Sequence, residues 1–145
     1  MTTFITRAAA LAFAATAVFT APAFAEEVAL SAHLMGSAEK PSVGDADGMG
    51  HATLKVDVAK SQVCYTLMVE GIASATMAHI HKGPGGSAGP VAVPLTAPDA
   101  SGKSAGCATA DPAVVTDLLA NPTGYYVNVH NAEFRAGAIR GQLSK

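Results

Sequence analysis

Basic charge is scarce in this sequence: its 145 residues hold 9 Lys and Arg against 11 Asp and Glu. No basic patch is available to track a nucleic-acid backbone, so no nucleic-acid partner is expected. Cysteine is nearly absent too, with only Cys64 and Cys107, and these lack the Cys-x-x-Cys spacing of a redox-active pair. Long apolar runs are confined to the first 25 residues, which leaves no expected membrane span in the rest. Several short motifs lack the context their chemistry needs. Gly85-Gly86-Ser87-Ala88-Gly89 has the form of a hydrolase nucleophile turn, but Pro90 and the β-type Val91-Ala92-Val93 follow where a helix is required. Gly102-Lys103-Ser104 has the ending of a phosphate loop, yet Ala97 stands where its opening glycine belongs. Pro122 bars glycan attachment at Asn121, and no close pair of carboxylates suggests glycoside hydrolysis.

The apolar run that is present reads as an export signal. Arg7 precedes a stretch from Ala8 to Phe19 made almost wholly of Ala, Leu, Phe and Val, Pro22 breaks it, and Ala23-Phe24-Ala25 supplies a small-x-small cleavage pattern. Residues 1–25 are therefore expected to be a cleaved signal peptide, with an uncleaved anchor as the alternative, and the mature domain to run from 26 to 145. Without Arg7 there remain 8 basic and 11 acidic residues, a formal charge of −3. A domain of this length has room for one core. Export to the periplasm or medium also places Cys64 and Cys107 where thiols oxidise, so a disulfide between them is expected. In the chain-entropy model such a crosslink constrains the unfolded chain by roughly 4 kcal/mol.

The mature chain alternates with a period of two. Val28, Leu30, Ala32 and Leu34 share one strand face; Ala52, Leu54, Val56 and Val58, then Val63, Tyr65, Leu67 and Val69, repeat the pattern as a hairpin around the turn Ala59 to Gln62. Further strands are expected over 76–82, 91–95, 125–130 and 138–143, with Gly-, Pro-, Ser- and Asp-rich loops between them. One segment follows a helical period: Asp111-Pro112 makes an N-cap and first-turn pair, Val114, Val115, Leu118 and Leu119 form a stripe, and Asn121-Pro122 ends it. The expected fold is all-β, a Greek-key sandwich or flattened barrel with one short helix near 112–120.

The histidines lie on the polar side of these strands. His79 and His81 flank Ile80, so their Cα atoms are about 7 Å apart on one face, within chelating reach of one metal ion. Val127 and Val129 claim the core side of their strand, leaving Tyr126, Asn128 and His130 outside, and Arg140 points outward in the last strand. His79, His81 and His130 are thus candidate metal ligands. The plainer alternative is that their nitrogens pin the Gly-rich loop Gly83 to Pro90. His33 and His51, also on polar faces, are expected to be solvated rather than to add a fourth ligand.

Three stretches resemble the chordin-type, or CHRD, domain family: LSAHLMGSAEKPSV (30–43), AHIHKGPGGSAGPV (78–91) and YYVNVHNAEFRAGAIRGQL (125–143). The chain is identified on these as an exported bacterial member. The family has no single agreed activity, and its occurrence as repeats in an animal growth-factor antagonist implies a non-enzymatic protein-interaction module of the envelope or extracellular space as one function. A weaker likeness, confined to short motifs, is to copper-zinc superoxide dismutase, in which a His-x-His and a later Val-His bind copper near an active-site Arg. The matching positions here are His79, His81, His130 and Arg140. That likeness implies a mononuclear copper site, superoxide as a small-anion substrate, and Arg140 as an anion-steering residue. No His lies between His81 and His130, so the dismutase's zinc subsite has no counterpart. Three neutral imidazoles suit Cu(II) on affinity, and Zn(II) accepts the same ligands. Arg140 has a structural alternative, an ion pair with Glu39 that ties the first loop to the last strand.

Overall fold

A computed structural model describes residues 28–145; the signal peptide expected at 1–25 lies outside them. The period-two segments form strands β1 (Val28–Met35), β2 (Met49–Asp57), β3 (Gln62–Glu70), β4 (Ala75–Lys82), β5 (Val91–Leu95), β6 (Lys103–Thr109), β7 (Tyr125–Asn131) and β8 (Ile139–Gln142). They make one antiparallel sheet in the order β5-β4-β7-β8-β1-β2-β3-β6. Its edge strands β5 and β6 approach each other, so the sheet is rolled nearly into a flattened barrel. One half, β5-β4-β7-β8, packs on the other, β1-β2-β3-β6, and the chain changes halves between β3 and β4, β5 and β6, and β6 and β7. The fold is the expected all-β Greek-key form.

Alternation fills the space between the halves. Leu30, Leu34, Leu54, Leu67, Ile80 and Val127 are at most 1 % exposed, and burying each such side chain is worth about 1.5–3 kcal/mol. The expected helix is present as α1 (Pro112–Ala120), capped by the Asp111 carboxylate, which accepts the Ala113 N–H at 2.7 Å. Its Val115 and Leu118 join the core cluster. Asp117, on the opposite side, accepts from Lys82 Nζ at 2.7 Å, Tyr125 Oη at 2.6 Å and Asn121 Nδ2 at 2.7 Å. These donors, Lys82 first, hold its carboxyl well below the usual range and tie the helix to β4 and β7.

Strand β6 has no counterpart in the sequence reading. Its residues KSAGCAT are small or polar and mostly exposed, so no alternation marks it. It is recruited by its neighbour: residues 62–68 of β3 pair with 103–109 in antiparallel register, which sets Cys64 directly opposite Cys107. The two cysteines are joined, with Cα atoms 3.9 Å apart. Tyr65 then reaches across the seam, where its hydroxyl accepts the Thr96 N–H at 2.8 Å just beyond β5. The crosslink thus fastens β6 to β3, and the Tyr65 bond spans the seam to β5.

Replacing both cysteines, Cys64→Ser with Cys107→Ser, is expected to lower stability by about 2–4 kcal/mol. In hydrogen exchange the variant should lose protection first over Lys103–Thr109, whereas a uniform loss across the sheet would show that β6 holds without the crosslink.

Candidate metal centre

Strand register brings the three predicted histidines together. In the β4–β7 ladder Met77 lies opposite His130, His79 opposite Asn128 and His81 opposite Tyr126. The ladder shifts between Ala75 and Met77, and the β4–β5 ladder shifts between Ile80 and His81; such bulges re-aim side chains. Ring centroids are 5.0 Å apart for His79 and His130, 5.3 Å for His79 and His81, and 6.3 Å for His81 and His130. One ligand nitrogen from each lies within 4.8 Å of the others. His79 Nδ1 and His130 Nε2 are 3.1 Å apart, near the roughly 3.3 Å that two nitrogens about 2.0 Å from one tetrahedral ion would keep.

The backbone sets which nitrogens are free. His81 Nδ1 is 2.8 Å from the Gly89 carbonyl oxygen and His130 Nδ1 is 2.9 Å from that of Arg135. A carbonyl only accepts, so each Nδ1 carries the proton and each Nε2 keeps its lone pair. His81 Nε2 is buried and has no hydrogen-bond partner in the protein. A bare imidazole nitrogen buried in this way is costly; a metal ligand is not. Loop pinning and metal ligation, alternatives in the sequence, are therefore compatible here. One nitrogen of His81 pins the Gly83 to Pro90 loop, and the other remains available.

The site's surroundings correct one expectation. The three histidines and Arg140 do project from the non-core face, but solvent is largely excluded: His81, His130 and Arg140 are 9, 6 and 2 % exposed. Loops cover what the strand pattern leaves open. Tyr126 stacks on His81, with centroids 4.9 Å apart and planes 6° apart, and the Arg140 guanidinium carbon is 3.4 Å from the Tyr126 centroid. Because β7 lies between β4 and β8, the phenol ring is held between imidazole and guanidinium. Arg140 also donates to Pro84 O at 3.0 Å, while the Gly89 N–H donates to the Tyr126 hydroxyl at 3.1 Å. Gly89 must be glycine, since a Cβ there would run into the Lys82 carbonyl.

Glu39 is buried on the same side, and the Arg140 charge attracts it. The expected tie is not a hydrogen-bonded ion pair, for Glu39 Oε1 and Arg140 Nη1 both lack partners in the protein, and burial of the carboxyl outweighs the pull of the Arg140 charge on its ionisation. Gly137 makes room for this carboxyl, because a Cβ at that residue would strike it.

Charge favours a ligand role for the rings. Burial holds the His79 and His130 imidazoles below the usual 6.5, reinforced at His79 by His130 and His81 and at His130 by His81. Neutral imidazole is the form that binds metal. The sequence reading missed Tyr126 as a stacking partner, Met77 as the outer-face neighbour of His130, and Asn131. The Asn131 side chain accepts from the Glu133 and Phe134 N–H groups at 3.1 and 2.7 Å, forming the turn that delivers the Arg135 carbonyl. The Asn-x-x turn signal was present in the sequence.

A nearly closed antiparallel barrel with three convergent imidazoles on its outer face is thus an all-β domain with a candidate three-histidine metal site. The CHRD domain family model matches residues 30–143, and the chain belongs to that family. No curated protein and no solved structure matches it.

The buried carboxyl and the imidazoles give opposite pH dependence. Below pH 6.5 the unfolded chain takes up protons that the folded His79 and His130 resist, so their contribution is lost as pH falls. Burial pushes Glu39 up from 4.5 to about 7, so the fold holds a proton there that the unfolded chain has released, and this contribution is lost as pH rises towards 7. Glu39→Gln should therefore gain on the native protein by roughly 3 kcal/mol between pH 4.5 and 7, read from urea denaturation with chelator present. A pH-independent difference would show that Glu39 stays ionised in the fold.

Proposed function

We propose that this CHRD domain is exported through a signal peptide at residues 1–25 to the periplasm or medium, and there binds one copper ion through His79, His81 and His130. The observation that carries this reading is the buried His81 Nε2 with no partner in the protein, facing two further imidazoles. The donor set is neutral and all-nitrogen, which suits Cu(II) above Zn(II) on affinity. Three protein ligands leave a coordination position open.

Copper bound there would supply one-electron exchange, and the proposed substrate is superoxide: two superoxide anions and two protons give one dioxygen and one hydrogen peroxide. The chain's own part is to hold the imidazoles neutral and oriented through Gly89 and Arg135, and to keep water from their far sides with Tyr126 and the Gly83 to Pro90 loop. Arg140 follows His79 and Asn128 in register across the sheet, about 10 Å from His79 at two strand spacings. Being buried, it acts on an incoming anion through its field and on the site by positioning Tyr126 and Pro84.

After incubation with Cu(II) and gel filtration, the protein should retain about one copper per chain, and the His79→Ala, His81→Ala, His130→Ala triple variant should retain none. Loss of copper from the native protein would contradict the site. Superoxide consumption by the copper-loaded protein no faster than by the triple variant would contradict dismutation.

A further inference from the structure

All four methionines among the described residues, Met35, Met49, Met68 and Met77, are between 47 % and 56 % exposed, while the core is built from other apolar residues. Methionine ordinarily fills cores and is a weaker strand former than the β-branched and aromatic residues. Its consistent placement on the outer face calls for a use of the thioether itself. Met77 lies beside His130; the other three lie together on the opposite half of the barrel.

Register builds that group. His33 is opposite His51 and His51 is opposite Met68, a straight row across β1, β2 and β3, and the next row on the same face sets Met35 opposite Met49. The His33 and His51 rings are 4.8 Å apart. All five residues line one open cavity of about 760 Å³. Cβ atoms of directly opposed residues are about 4.5–5.5 Å apart, and methionine has three rotatable bonds, so donors from the two rows can converge without backbone movement.

We propose that this face is a second metal site, for the soft monovalent ion Cu(I), with the His33 and His51 imidazoles and the Met35, Met49 and Met68 thioethers as its donor set. Thioethers are neutral, soft donors that select Cu(I), and imidazole accepts the same ion. Glu70 and Lys103 flank the cavity with opposite charges, leaving no net negative charge to favour a hard divalent cation. His51 Nε2 is engaged only by the Thr53 hydroxyl at 3.3 Å in an exposed contact, which metal binding can replace. The row His79, Asn128, Arg140, Met35 spans three strand spacings, about 14 Å. The site is therefore separate from the three-histidine cluster, and the inference does not rest on copper binding there.

The test uses protein labelled with ¹³C at the methionine methyls and Ag(I) as a redox-inert stand-in for Cu(I). One equivalent should shift the Met35, Met49 and Met68 methyl signals. The Met35→Leu, Met49→Leu, Met68→Leu variant changes exposed side chains conservatively and should keep the fold. Compared in the His79→Ala, His81→Ala, His130→Ala background, which removes the other copper site, it should bind Cu(I) at least tenfold more weakly in anaerobic competition with a chromophoric Cu(I) chelator, while in the native background its Cu(II) binding is unchanged. Unmoved methyls at stoichiometric Ag(I), a shift confined to Met77, or a leucine variant that holds Cu(I) as tightly would each overturn the proposal.

Discussion

Two hydrogen bonds from imidazole to backbone, His81 Nδ1–H to Gly89 O and His130 Nδ1–H to Arg135 O, organise the outer face of this domain. Each fixes a ring's orientation and its tautomer together, so the lone pairs converge. Each also fastens a loop to the sheet. The Gly83 to Pro90 loop can lie this close because Gly89 has no Cβ to meet Lys82, and the Asn131 turn brings Arg135 into range. Tyr126 and Arg140 then fill the space beside the rings, and the Pro84 carbonyl accepts from the guanidinium. Loosening the His81 bond would free a ring, a loop and the stack together, and loosening the His130 bond a ring and its turn.

The barrel supplies a rigid base for this arrangement. Antiparallel register across β4, β7 and β8 sets the order of the site's side chains, while far from it the Cys64–Cys107 crosslink holds β6 on β3 and the Tyr65 bridge closes the seam towards β5. The core face is uniformly apolar, so chemistry-bearing residues are displaced to the outer face. There they divide between the two halves: imidazoles with buried Arg140 and Glu39 on one, exposed imidazoles with thioethers on the other.

Much of this was legible in the sequence because period two is a strong signal where side chains are large. The strands carrying Leu30, Leu54, Leu67, Ile80 and Val127 and the shared face of His79, His81 and His130 follow from it, and the helix after Asp111 follows from its cap and its helical stripe. Strand β6 was not legible, since Ser104, Ala105, Gly106 and Ala108 carry no alternation and the strand exists through its pairing with β3. Burial of His81, His130 and Arg140 was also hidden. Alternation reports which face a residue takes, but not whether a loop folds back over that face, and the covering atoms are backbone carbonyls that any residue possesses. The methionines escaped notice for a related reason: only register places Met68 beside His51 and Met49 beside Met35.

Electron spin resonance of the protein with one equivalent of Cu(II) tests the central claim most directly. Convergence of the three imidazoles predicts nitrogen hyperfine structure from His79, His81 and His130, diminished by each single His→Ala change and abolished by all three. A spectrum of oxygen-only coordination, or one unchanged in the triple variant, would contradict the account.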